Sequence, residues 1–200
     1  MKKLLITLAL LISAVSFGQT AEEYFNSGSD KHNLKDYNGA ISDYNKAIEI
    51  NPNLADAYLN RGVSKDELKD FNGAISDYNK AIEINPNLAV AYYNRGISKH
   101  NLKDYNGAIR DDTKAIELDP NYADAYINRG ISKYNLKDYN GAIRDFTKAI
   151  ELDPNLANAY NNRSISKELL GDLTGACADA KKAINLGSNS SVKWVASNCN

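Results

Sequence analysis

Residues 55–88 read ADAYLNRGVSKDELKDFNGAISDYNKAIEINPNL, and residues 89–122 and 123–156 write nearly the same phrase again. Gly28, Gly62, Gly96 and Gly130 stand 34 residues apart, as do Pro52, Pro86, Pro120 and Pro154. Ala40, Ala74, Ala108, Ala142 and Ala176 keep the same interval. Within 55–88, Tyr58, Gly62, Lys65 and Leu68 fall at i, i+4, i+7 and i+10, the spacing of one side of a helix. Asp70 is placed to cap a second helix that carries Ala74, Ile75, Tyr78, Ala81 and Ile82 on its inner side. Asn85-Pro86-Asn87 stops that helix, because proline has no N–H to continue the ladder, and Asn87 is expected to cap the next one.

One such hairpin cannot bury its own apolar face, so neighbours must stack, and contacts stay local. The units run 21–54, 55–88, 89–122, 123–156 and 157–190. In this period and in the phrase AYxNRGxSKxxLKDYNGAIxDxxKAIExxPN the chain resembles the tetratricopeptide repeat (TPR) family. The resemblance implies an all-α fold: a right-handed solenoid of five 34-residue helix-turn-helix repeats, followed by a C-terminal capping helix in 191–200.

The N-terminus reads differently. Lys2 and Lys3 precede an apolar or small-residue run from Leu4 to Val15, and Ser16-Phe17-Gly18 offers a cleavage site. That is the anatomy of a secretory signal peptide of bacterial type over residues 1–18. The run is too short to span a bilayer, which takes about 20 apolar residues. The expected mature chain starts near Gln19, with no membrane span after cleavage, and is periplasmic or secreted. In an exported chain, an even cysteine count permits a bridge between Cys177 and Cys199. Cys177 takes the place of Ile41, Ile75, Ile109 and Ile143. Ser190 or Ser191 would start a final helix whose Val192, Val195, Ala196 and Cys199 share the face that docks on the last repeat.

Composition narrows the function. Hydrophobic residues at 43% and charged residues at 24% are those of a globular chain. The net charge of −1 becomes −3 once Lys2 and Lys3 are removed, so no basic excess exists to hold a nucleic acid. His32 and His100 lie two periods apart and are read as solvated groove-facing side chains, and no HExxH, CxxC, phosphate loop or G-x-S-x-G elbow occurs. No cofactor and no metal are expected, and carboxylates that recur in every unit behave as framework. The reading is therefore non-enzymatic.

Two features depart from the family pattern. Arg61, Arg95, Arg129 and Arg163 precede the Gly position, and Lys31, Lys65, Lys99, Lys133 and Lys167 follow it by three. Asp43, Asp77, Asp111, Asp145 and Asp179 recur on the second helices. A ladder of ion pairs follows, either within a unit (Arg61 with Asp77) or to the preceding one (Asp43 with Arg61). Unit one has Ser27 in place of Arg, which fits the second version, but counting alone does not decide. Asp112 replaces the aromatic of Tyr44, Tyr78 and Phe146, and either turns outward or loosens the stack between units three and four.

What the resemblance implies for function is protein recognition. In the family, first helices line a concave groove at fixed offsets from the Gly. On this chain those positions give Leu59, Tyr93 and Ile127; Asn60, Asn94 and Asn128; Val63, Ile97 and Ile131; and Tyr134, in a window from unit two to unit four. His32, Asp66, His100 and Glu168 share the position of Tyr134. The Asn amides either bind a peptide backbone or bond within the solenoid. The family's two-carboxylate clamp sites are apolar here, so a chaperone-tail clamp is not supported. The expected partner is a peptide or protein in the groove, with self-association or use of convex and edge surfaces in a larger envelope assembly as the alternative.

Overall fold

A computed structural model of the protein describes residues 19–199; the signal-peptide expectation for 1–18 lies outside them. Five helix pairs follow one another: α1 (Ala21–Asn33) with α2 (Tyr37–Ile50), α3 (Ala55–Glu67) with α4 (Phe71–Ile84), α5 (Ala89–Asn101) with α6 (Tyr105–Leu118), α7 (Ala123–Asn135) with α8 (Tyr139–Leu152), and α9 (Ala157–Leu169) with α10 (Leu173–Asn185). A short α11 (Val192–Asn198) closes the chain. Each helix touches its pair partner and the next unit, so the protein is an all-α repeat solenoid with no central core.

The same local chemistry shapes every unit. Asp36, Asp70, Asp104, Asp138 and Asp172 accept the backbone N–H of the third residue of each second helix, at 2.9–3.0 Å. At the other end the expected role of Asn87 does not hold. Leu88 precedes α5 without a side-chain cap, while the Asn85 side chain takes the Asn87 N–H and folds the Asn-Pro-Asn turn. The hairpin corners hold Lys35, Lys69, Lys103 and Lys137 at φ 62–65°, a left-handed conformation; only unit five places glycine there, Gly171 at φ 83°.

The Gly before each first-helix centre is explained by what faces it. A Cβ on Gly28, Gly62 or Gly130 would stand 2.7 Å from the ring of Tyr44, Tyr78 or Phe146. Those rings are the largest buried side chains, with 0–1% exposure. In unit five the ring is Ala180, and the freed space admits Ser164, whose hydroxyl donates to the Ala176 carbonyl at 2.8 Å. Core residues therefore form separate clusters, such as Leu59, Ala74, Tyr78, Ala81 and Ala91 in one joint and Ile127, Phe146, Ile150 and Ala159 in another.

Both ends are finished with polar groups. Ala57, Ala91, Ala125 and Ala159 are fully buried against the preceding unit, and the same site in unit one is the exposed Glu23. Ser64, Ser98 and Ser132 are likewise buried where unit one has the exposed Asp30. At the C-terminus, Ser191 bonds Asn161, and the Trp194 indole N–H donates to Glu168 at 2.8 Å. Of the expected docking face, Val195 and Cys199 are partly buried, whereas Val192 is 44% exposed and Ala196 is also exposed. The structure bonds Cys177 to Cys199, which ties α11 to α10.

Candidate ligand-binding groove

The ion-pair ladder runs within units. Arg61 grips Asp77 with two N–H donors at 2.9 and 2.5 Å, and Lys65 reaches the same carboxylate at 2.8 Å. Arg95, Arg129 and Arg163 repeat the arrangement with Asp111, Asp145 and Asp179. In unit one, Lys31 and the Ser27 hydroxyl take the Arg role on Asp43 at 2.5 and 2.6 Å, so every one of these Asp side chains is paired. Burial alone would raise the Asp43 carboxyl, but those two donors hold it below its ordinary value.

The alternative pairing to the preceding unit is wrong for Asp but right for the third donor. Nη1 of Arg61 and Arg95 reaches Asn45 and Asn79 in the preceding second helix at 2.5 and 2.6 Å. Arg129 and Arg163 reach Thr113 and Thr147 at 3.1 and 3.0 Å. Each guanidinium also lies over the Tyr three positions before it, 5.3–5.5 Å from the ring centroid. The sequence signal for the Asn/Thr partners was a constant 16-residue offset from each Arg. With all first-helix Arg and Lys turned to this network, the other face of those helices is left to neutral and acidic residues.

On that other face, neighbouring first helices are laced by side chains. His32 Nδ1 lies 2.9 Å from the Ser64 hydroxyl, the Ser98 hydroxyl donates to Asp66 at 2.7 Å, and His100 Nδ1 lies 2.9 Å from the Ser132 hydroxyl. His32 and His100 are thus partly buried bridges between units, not solvated groups. Burial lowers the basicity of His100 and raises the Asp66 carboxyl.

Two cavities open between first helices. Ser29, His32, Asn33, Tyr44, Asn60 and Val63 enclose about 200 Å³ between units one and two. Ile131, Tyr134, Asn135, Phe146, Asn162 and Ile165 enclose about 180 Å³ between units four and five. Each residue of the second set lies three repeats after its counterpart in the first.

The expected groove residues divide. Asn60, Val63, Ile131 and Tyr134 line these cavities. Asn94 and Ile97 are partly exposed at the equivalent positions of unit three. Leu59 and Ile127, at 9% and 5% exposure, belong to the core clusters, because their position points into the joint with the following unit, where Ala91 and Ala159 lie. Tyr93 shares that position and packs on Tyr122 with centroids 4.8 Å apart. Burial pushes its hydroxyl up to about 12.

Asn128 is committed inside the solenoid. Its amide donates to both oxygens of Asp112, at 3.0 and 2.8 Å. Asp112 neither turns outward nor opens the joint: it is fully buried, and the amide folds onto it. Burial pushes the carboxyl up to about 8, with the neighbouring Asp111 charge adding to it against the Asn128 hydrogen bond. Among the described residues no cluster of His, Cys, Asp and Glu is arranged to hold a metal ion, and no helix is long and apolar enough to cross a membrane.

Known proteins place this geometry. A tetratricopeptide repeat model matches residues 55–88 and 123–156, a second such model matches 77–110, and a TPR repeat model matches 28–65. No curated protein matches the chain. A crystal structure of MamA aligns with a TM-score of 0.75 at 28% identity, over 80% of this chain and 93% of that one. MamA from Desulfovibrio magneticus RS-1 gives 0.78 at 20% identity, over 84% and 96%. YrrB, described as a TPR protein with an unusual peptide-binding site, gives 0.74 at 22%, over 88% and 91%. The matched stretches follow the helix pairs described above, the repeat models together take in more than half of the residues, and the chain belongs to the tetratricopeptide repeat family.

Proposed function

We propose that this TPR protein is an exported, non-enzymatic adaptor that binds a peptide or protein in its concave groove, in the envelope or outside the cell. The observation that carries the reading is the division of labour on the first helices. Every Arg and Lys is spent on the Asp ladder, while the opposite face offers cavities lined by Asn, Ile, Val and Tyr. Apolar positions rimmed by amides suit a chain whose side chains insert while its backbone is held by hydrogen bonds. The amide of Asn94 has no side-chain partner among the described residues and is free for that purpose.

Export rests on the signal anatomy of residues 1–18. N-terminal sequencing of the native protein should start near Gln19; an intact Met1-Lys2-Lys3 would refute it. Binding is tested by Asn94→Ala with Ile97→Ala, with helicity checked by circular dichroism. Partner capture is expected to fall at unchanged helicity, and full retention would move the contact off the groove.

A second reading has one observation in its favour. Leu34, Leu68, Leu102 and Leu136 are 80%, 42%, 43% and 43% exposed in a row at the hairpin corners, an edge that could seat in a larger assembly. End-to-end self-stacking is disfavoured, since Glu23 and Asp30 at one end and α11 at the other occupy the stacking faces.

A further inference from the structure

We propose that the joint between units three and four is a proton-gated hinge. Asp112 holds it closed while it carries its proton, and loss of that proton to water opens the solenoid there, between units one to three and units four and five. The proposal stands on the joint itself and does not depend on the groove reading above.

The same three positions line each of these joints. Between units two and three they hold Leu59, Tyr78 and Leu88, and between units four and five Ile127, Phe146 and Leu156, each set packed into or against an apolar cluster. Between units three and four they hold Tyr93, Asp112 and Tyr122. The two clusters lie on either side of this joint, and neither takes buried residues from both unit three and unit four. A carboxyl stands where the other joints bury a ring, so less apolar surface holds this joint shut.

Polar groups close it instead. The fully buried Asp112 of α6 accepts the Asn128 amide of α7 on both oxygens, at 3.0 and 2.8 Å, and faces Gly96 of α5. His100 Nδ1 of α5 lies 2.9 Å from the Ser132 hydroxyl of α7. Arg129 of α7 is the cation that Asp112 feels, but its N–H groups go to Asp145 and Thr113. Asp111 on α6 and Asp145 on α8 add like charge, and the Tyr93 and Tyr122 hydroxyls beside them are neutral. A carboxylate formed in the closed joint is therefore buried without a bonded cation, whereas water solvates it once the joint opens.

The two titratable groups act in opposite senses. In the closed joint Asp112 titrates at about 8 and in the opened one near its ordinary 3.8, so opening gains about tenfold per pH unit between those values and nothing above them. Burial holds His100 below its ordinary 6.5, so acid favours opening through His100 only under about pH 6.5. Between pH 6.5 and 8 Asp112 acts alone in this joint.

The test is thiol accessibility. Ala125 and Ala159 are fully buried at equivalent places in this joint and the next. Ala125→Cys and Ala159→Cys, as separate variants, are labelled with iodoacetamide across pH 6.5 to 9, where the native cysteines stay silent because they are bonded to each other. The ratio of the two labelling rates, 125 over 159, cancels the titration of the thiol. It should rise about tenfold between pH 6.5 and 8 and level off beyond, and Asp112→Asn should hold it flat. Ser132→Cys against Ser166→Cys, also fully buried at equivalent places, gives the same reading should either first variant fail to fold. A ratio that does not move with pH, or that rises as steeply in Asp112→Asn, would overturn the hinge. A ratio near one at every pH would do so by assigning the exposure to unfolding of the whole chain.

Discussion

The joint between units three and four and the joint between units four and five are built on the same backbone, yet they solve burial in opposite ways. In the later joint, Phe146 fills the space opposite Gly130 with a ring at 1% exposure. In the earlier one the space holds Asp112, fully buried, with Asn128 as its only side-chain hydrogen-bond donor among the described residues. One joint keeps an open cavity on its groove side and leaves Asn162 at the rim; the other consumes its amide to satisfy a carboxyl. A single-core protein would spread the consequence of such an exchange, but a solenoid confines it to one interface. Repetition of the fold therefore does not imply repetition of the groove surface.

The largest expected effect comes from copying the earlier joint onto the later one. Phe146→Asp should cost about 3–5 kcal/mol of unfolding free energy, since a large ring leaves a packed site. Asn162 stands where Asn128 does and offers the same amide, so the fold should survive at low temperature; denaturant titration measures both outcomes. The glycines separate the joints next. Gly130→Ala drives a methyl into the Phe146 ring and should cost about 1–3 kcal/mol. Gly96→Ala meets the Asp112 carboxyl, a smaller group than the ring, and should cost less. Equal losses would mean the two joints are packed alike.

A pH series sharpens the comparison further. The folded Asp112 carboxyl titrates at about 8 against an ordinary 3.8, so the folded state holds a proton that the unfolded chain has released. Stability should fall as pH rises from about 4 to about 8 and level off beyond, and Asp112→Asn should flatten that slope. An unchanged slope in the variant would assign the titration to another group. The smallest effect on the joints should come from the far end. Free-thiol labelling of the denatured, unreduced protein should find neither Cys177 nor Cys199 reactive. Reduction should loosen α11 by about 3 kcal/mol in the chain-entropy model while leaving both joints intact.

Most of the fold was legible because one period recurs. The 34-residue spacing of Gly, Ala and Pro defines the helix pairs, and Asp70 and its counterparts cap as their position suggests. The groove face was less legible, because position relative to the Gly does not say which helix a side chain meets. Leu59, Tyr93 and Ile127 are apolar at a groove offset, but they point into the joint. The direction of the Asp ladder was hidden for a similar reason: the two candidate partners of each Arg sit at offsets of 16 and 18 residues, and only the packing of helices selects one. The roles of Asp112 and Asn128 needed the structure outright, since an Asp in an aromatic position reads as an irregularity until its partner is seen.

On the proposed reading the concave face, and not the outer one, meets the partner. A photo-crosslinking residue placed at Ile97 on the groove face or at Arg110, exposed on a second helix, in the protein expressed in its own cells separates the two faces. A covalent adduct with a partner polypeptide is expected from position 97 and none from position 110. Adducts from position 110 alone would contradict it.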